Sequence, residues 1–344
     1  MSTGTRKSRV VVIGGGTVGS EVVRLLGSRA EVDVRAVLVR DAARPRAFDG
    51  WRELVTDDPA VVADADLVVE VAGGTGQPAD LALSALSRGA AVVTANKAAL
   101  AERWEEFAPH LRAGRVWAEA AVMGGAPVVG ALSGALRGCA PVSLHAVLNG
   151  TCNVVLSAME SGATYESALR SAQEAGFAEA DPTLDVEGVD AAHKVALLAR
   201  LAFDPGLAFD AVRGATSGIA GLERDVVAAH AARGRAVRLV ASVYATAAGW
   251  RAAVRPVSLP GDHPLVVSGP SNALVFRGDP LGTVVVRGPG AGGGATATAV
   301  VSDVIAAAAG GRGHAPVAAP RDHAAALAAG AGAELPEGGE ALAA

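Results

Sequence analysis

Val10-Val11-Val12-Ile13-Gly14-Gly15-Gly16-Thr17-Val18-Gly19 is the stretch that decides the fold. An apolar run reads as a short buried strand, and G-x-G-x-x-G follows at once. Apolar residues then recur at Val18, Val22, Leu25 and Leu26, the spacing of a helix with one buried face. Strand, glycine turn and helix in that order predict a dinucleotide-binding turn, with a merely structural glycine turn as the plainer alternative. Gly14 permits the tight turn. Gly16 lets the backbone approach a pyrophosphate at the helix N-terminus, and Gly19 lets helix and strand pack closely. Gly14, Gly16, Thr17, Val18 and Gly19 are therefore the first candidate cofactor residues.

Working outward, the next hundred residues alternate strand-like and helix-like segments. Val34–Val39, Leu67–Val71, Ala91–Thr94 and Val116–Ala118 read as strands. Pro78–Arg88 reads as a helix, with Pro in its first turn and Gly89 just past its end. This alternation predicts an α/β, Rossmann-type, doubly wound parallel sheet. From about Gly134 the texture changes. Val142–Leu148, Leu239–Ala245, Trp250–Pro256, Ala273–Phe276 and Thr283–Val286 read as strands, with helices at Thr164–Ala175 and Val189–Leu201. These predict a second, α+β domain with a mixed sheet. The glycine run Gly288–Gly294 leads into an apolar helix, Thr296–Ala309. Residues 311–344 are rich in Ala, Gly and Pro, and are expected to form a low-complexity, partly disordered tail.

Composition narrows the function. The chain has 344 residues, room for two domains, and 51% of them are apolar. Only 3% are aromatic, so Ala, Val and Leu must build the core. The net charge of −5, without a basic block, argues against a nucleic-acid partner. No apolar stretch is long enough to suggest a membrane span. The basic N-terminus is followed by an apolar run too short for a signal peptide. Cys139 and Cys152 make neither a metal-ligand spacing nor a disulfide framework, so a cytoplasmic location is expected.

Several motifs sit where chemistry is placed in such folds. After the second strand come Arg40 and Asp41. An Arg there suits a 2′-phosphate and an Asp a free ribose hydroxyl; Arg40 comes first, so NADP is favoured, and NAD also fits. A solvated loop is the plainer alternative. Lys97 follows the Ala91–Thr94 strand, and in an open α/β sheet ligands bind outside the carboxyl ends of strands. From the residues alone, Glu119 to Pro127 reads as a tight turn with an incidental acid, although its carbonyls are of the type hard cations take. Asn149-Gly150-Thr151 marks a turn in which Thr151 caps the next helix.

The stretch Glu179 to Lys194 is harder to dismiss as surface. Its acids lead into an apolar helix on which Asp190 and Lys194 stand four apart and share a face. Burying either unpaired is costly, so they are expected to pair. Acids running into an Asp/Lys helix suit a small zwitterionic substrate. A structural ion pair is the competing reading.

Taken together these segments resemble homoserine dehydrogenase, over roughly residues 9 to 310. The resemblance is carried by residues 12–19, 37–41, 94–97, 119–127, 148–153, 176–194 and 288–294, and residues 176–194 are its most specific part. It implies NAD(P)-dependent interconversion of L-homoserine and L-aspartate 4-semialdehyde, the threonine and methionine branch of amino-acid biosynthesis. It implies that Lys194 is the acid/base lysine and that Lys97 assists in the same cleft. Glu179, Asp185 and Asp190 would bind substrate, with Thr151 and Gly176 nearby. Gly73, Thr94, Lys97, Gly288 and Gly290 would join the cofactor-facing positions. Glu119, with the carbonyls of Val122, Gly124 and Ala126, would form a monovalent, sodium-type site, reversing the plain reading of that turn.

The resemblance also implies a domain plan. Residues 8–133 plus 290–310 would make the dinucleotide-binding domain, 134–289 the substrate and dimerisation domain of a homodimer, and 311–344 a tail. Phe177 stands where the family commonly has Tyr, and Cys152 where it commonly has Thr. These departures leave open a paralogue acting on a related amino-acid semialdehyde. A non-catalytic dinucleotide sensor is the remote alternative. No ACT-type module follows residue 310, so insensitivity to threonine is expected.

Overall fold

The computed structural model describes residues 7–330 and 333–342. It forms two compact units. The first is built from residues before 134 together with 292–316, and the second from 134–291 together with the residues after 316.

The first unit is a six-stranded sheet in the order β3-β2-β1-β4-β5-β6. Its strands are β1 (Ser8–Ile13), β2 (Val32–Leu38), β3 (Val55–Thr56), β4 (Leu67–Glu70), β5 (Ala91–Thr94) and β6 (Val116–Trp117). Every neighbouring pair is parallel. The chain order reverses between β1 and β4, the point where doubly wound sheets open a crevice for ligand. Helix Thr17–Leu26 buries Val22, Val23 and Leu26 against Val10 and Val12 of β1. Helix Gly293–Ala308 lies beside it on the same face and adds Ala297, Val300, Val301 and Val304 to that core. Helix Gln77–Ser87 packs on β4 and β5.

The second unit holds another six-stranded sheet, ordered β11-β10-β7-β8-β9-β12. Its strands are β7 (Ala140–Val147), β8 (Arg235–Thr246), β9 (Gly249–Pro260), β10 (Ser271–Asp279), β11 (Gly282–Pro289) and β12 (Glu340–Ala341). Every pairing of these strands is antiparallel, which corrects the expected mixed sheet. The reason lies in the connections. β8 to β9 and β10 to β11 are short reversals, and such links join antiparallel neighbours, whereas parallel ones need a long crossover. The parallel contact present is an isolated bridge, Thr216 with Val254. Helix Gly150–Glu160 packs over β8, and helix Val189–Ala202 over β8 and β9.

The last segment differs from the expected tail. Val317 N donates to Leu201 O (3.0 Å) and Arg321 N to Phe203 O (2.7 Å). Trp250 Nε1 donates to Arg321 O (2.8 Å). Asp322 caps helix His323–Ala328, Glu334 accepts from Tyr244 and pairs with Arg255, and β12 adds to β9. Low-complexity composition hid this docking. It rests on backbone and side-chain hydrogen bonds, ion pairing and a few buried apolar groups, Val317 and Ala326 among them, rather than on a periodic apolar face.

Candidate active site

At the β1/β4 reversal the first unit has a cavity of about 1110 Å³, lined by Gly14, Gly16, Arg40 and Gly73 among others. The three glycines of the motif do separate jobs. Gly14 has φ +107, and a side chain there would meet the backbone of Ala72. A Cβ at Gly19 would lie 1.8 Å from Gly14 O, so helix and turn touch. A Cβ at Gly16 would meet nothing within 4 Å, so this glycine keeps open the space in front of the helix N-terminus. Thr17 and Val18 belong to the helix behind the turn. Arg40 is exposed at the cavity. Asp41 spends its carboxylate on Ala43 N (3.0 Å) and its carbonyl on Arg46 Nη2 (2.7 Å). Arg46 Nε, beside Gly15, is buried and without a hydrogen-bond partner among the described residues. Open space at Gly16 and arginine donors facing the cavity fit a dinucleotide with phosphate to place.

The sequence reading did not single out Glu70. It ends β4 fully buried, and its Oε1 accepts from Ala72 N (2.9 Å) and Gly73 N (2.8 Å). Its Oε2 accepts from Thr94 Oγ1 (2.9 Å), whose oxygen in turn accepts from Asn96 N. Burial pushes this carboxyl above its usual range, against the pull of those donors. Asn96 donates to Gly74 O (2.7 Å) and caps the helix that opens at Lys97. Thr94 and Gly73 are therefore tied to one carboxylate at neighbouring strand ends. Lys97 is half-buried at the first position of its helix.

Glu119 is also an anchor. Its Oε1 accepts from Val128 N and Val129 N and its Oε2 from Gly130 N, at 2.7–2.8 Å. Burial still pushes it up. Asp303, raised to about 7 by burial with the Glu119 charge adding to it, accepts from Glu119 N (2.9 Å). His314, lowered to about 4 by burial, accepts at Nδ1 from Ala118 N (2.9 Å). Met123 and Gly124 both have φ 55, which curls the turn carrying the carbonyls of Val122, Gly124 and Ala126. That turn offers a cation oxygen donors from the main chain. Glu119 can add its own carbonyl, since its carboxylate is occupied.

In the second unit the acid stretch folds around one lysine. All of helix Val189–Ala202 is buried, and Lys194 Nζ donates to Asp190 Oδ2 and to Leu148 O, both at 2.7 Å. Asn149 Nδ2 donates to Asp185 Oδ1 (2.7 Å) and Asp190 Oδ2 (2.9 Å). Thr151 Oγ1 lies 2.8 Å from Phe177 O and 3.1 Å from Asp185 Oδ2. The helix cap at this turn is Asn149, which accepts from Cys152 N, rather than Thr151. The Cys152 thiol is pushed well up, by burial first and then by the Asp185 and Asp190 charges, so it stays protonated. Gly176 turns the chain with φ +76, and Phe177 follows, 45% exposed. Glu179 is exposed, and its carboxylate takes no hydrogen bond among the described residues. Gly288 pairs with Asn272, and Gly290 N donates to Pro270 O; both lie in the second unit. Asp185, Asp190, Thr151 and Lys194 are thus brought together, while Glu179 stands on the open loop.

Comparison with known proteins gives consistent results. A family model described as "Homoserine dehydrogenase, NAD binding domain" matches residues 14–116, and one described as "Homoserine dehydrogenase" matches residues 127–305. A homoserine dehydrogenase of Corynebacterium glutamicum is 39% identical over 321 residues, covering 87% of this chain and 71% of its own. Among solved structures, a homoserine dehydrogenase from Thiobacillus denitrificans superposes with a TM-score of 0.83 at 34% identity, covering 89% of this chain and 74% of that one. A hyperthermophilic archaeal homoserine dehydrogenase in complex with NADPH superposes at 0.74 with 26% identity, covering 90% and 100%.

Proposed function

The chain belongs to the homoserine dehydrogenase family of nicotinamide-dependent oxidoreductases, and we propose that Lys194 is its acid/base residue. One observation carries this assignment: a buried lysine held at 2.7 Å by both Asp190 and the Leu148 carbonyl, beside a second carboxylate. A bound nicotinamide cofactor would supply the hydride for the aldehyde carbon, and negative charge would then grow on the aldehyde oxygen. The Lys194 ammonium stabilises that charge and delivers the proton; in the oxidation it takes the proton back. Asp185 and Asp190 are suited to the substrate ammonium, and Thr151 fixes Asp185. Glu179, on an exposed loop next to Gly176, is the third proposed acid. Lys97 is proposed as a second amine, supported by its place beyond the end of β5.

The cofactor is proposed to be NADP in preference to NAD, because Arg40 is exposed at the cavity while the Asp41 carboxylate is engaged with Ala43. Gly14, Gly16 and Gly73 would border it, with Thr17, Val18, Gly19 and Thr94 shaping the wall; Gly288 and Gly290 are proposed as later contacts. A sodium-type cation is proposed on the carbonyls of Glu119, Val122, Gly124 and Ala126. A homodimer through the second unit is supported by the edge strand β11, where Val285 is exposed. A cytoplasmic location is proposed from the two free, buried cysteines. Among the described residues no helix is long and apolar enough to cross a membrane.

The test compares initial rates of homoserine oxidation for the native enzyme and Lys194→Ala, with NADPH binding followed by fluorescence. Loss of turnover with cofactor affinity retained is expected. Full turnover in the variant would refute the assignment.

A further inference from the structure

Asn149 is buried, 4% exposed, between the end of β7 and helix Gly150–Glu160. One end of its carboxamide does ordinary work: Oδ1 accepts from Cys152 N (2.8 Å) and caps the helix. The other end does not. Nδ2 has two hydrogens, and they go to carboxylates on different segments: 2.7 Å to Asp185 Oδ1 and 2.9 Å to Asp190 Oδ2. The Asp190 oxygen involved is the one that accepts from Lys194 Nζ. The residue before Asn149 supplies the carbonyl that takes another bond from the same Nζ.

A cap requires only an oxygen, and Ser, Asp and Asn serve about equally well. The Asp190 carboxylate is buried and that of Asp185 half-buried; brought together they repel, and a neutral group with two donors is what holds both in place. An aspartate at 149 would keep the cap yet set a third carboxylate against the other two. We propose that Asn149 is a positioning residue for the reaction. It fixes Asp185 and Asp190 as a pair, and through Asp190 it fixes Lys194. This rests on the assignment of Asp190 and Lys194 as the reaction centre.

The test uses two variants of the full chain that both retain a capping oxygen, Asn149→Asp and Asn149→Ser, with Lys194→Ala alongside. Charged hydrogen bonds of this type correspond to roughly 10- to 100-fold in rate or affinity. Asn149→Ser is expected to raise the homoserine KM roughly tenfold, with NADPH affinity within about twofold of native. Asn149→Asp is expected to lower kcat/KM for homoserine by roughly 100-fold, with NADPH affinity within about twofold of native. Activity in the order Asn, Ser, Asp, with NADPH affinity near native in both variants, supports the proposal. Asn149→Asp within about twofold of native in kcat and homoserine KM overturns it, because a capping role alone gives that result. If Asn149→Asp does not fold, Asn149→Ser decides: an unchanged homoserine KM overturns the proposal. Should Lys194→Ala stay fully active, the assignment of the reaction centre itself fails, an outcome distinct from failure of the Asn149 role alone.

Discussion

Lys194 Nζ lies 2.7 Å from Asp190 Oδ2, one turn apart on a helix buried along its whole length. A lysine there needs a counter-charge, and the helix supplies it locally.

Removing that counter-charge is expected to damage both stability and turnover. Asp190→Asn leaves a buried ammonium with an amide for its neighbour, at a cost on the order of 3 kcal/mol. Denaturant unfolding should show this loss, and homoserine oxidation should fall by at least about 100-fold. A variant as stable and as active as the native chain would contradict the pairing argument.

The motif glycines should separate folding from cofactor binding. Gly19→Ala drives a methyl into Gly14 O, so its melting temperature should drop by several degrees, a loss of roughly 2 kcal/mol or more. Gly16→Ala meets nothing, so it should melt like the native protein yet bind NADPH roughly tenfold or more weakly. Paired melting curves and NADPH titrations check both, and equal behaviour of the two variants would count against the division of labour.

Glu70 should act on the cofactor side through Gly73 and Thr94. Glu70→Ala strands the amides of Ala72 and Gly73, with an expected loss of ~2 kcal/mol in stability and weaker NADPH binding. Glu70→Gln keeps an acceptor for those amides and should recover most of both. Calorimetry with and without NADPH distinguishes these outcomes.

His145 should make the second unit sensitive to acid. It is buried with Nδ1 2.9 Å from Ser242 Oγ, and burial, with the positive charges of His263 and Arg277, pushes it down to about 4 from 6.5. The folded state thus keeps it neutral where the unfolded chain takes a proton. Its contribution is fully present above pH 6.5 and is lost as pH falls through about 4, at most on the order of 3 kcal/mol. Replacing it, His145→Gln, should flatten unfolding free energy against pH over that window. An unaltered slope would show that another group is responsible.

The parts legible in the sequence were those set by neighbours along the chain. The glycine turn, the β1 strand and the Asp190–Lys194 pairing each depend on spacing within a few residues. Glu70 is not singled out by the sequence, and Asn149 reads there only as marking a turn, for the opposite reason. Glu70 meets Thr94 across 24 residues, and Asn149 meets Asp185 and Asp190 across 36 and 41. Nothing local marks a carboxylate that holds a turn, or an asparagine that uses both ends of its amide. Thr151 took the capping role on paper because a hydroxyl before an apolar run is a good cap, but the preceding Asn149 reaches the Cys152 amide instead. The antiparallel second sheet and the docked last segment depend in turn on which strands meet, and strand periodicity does not carry that information.

The first sheet is closed by helix Gly293–Ala308, and the second unit takes its last strand from Glu340–Ala341. On a translating ribosome the N-terminal strands therefore emerge long before the helix that covers them, with all of residues 134–291 synthesised in between. An apolar face built on Val10, Val12 and Val69 must wait through that interval, and such a nascent surface invites a chaperone. Each unit needs residues beyond 291, so the order of the sequence imposes a schedule in which the first unit starts early and is still incomplete when most of the second has emerged.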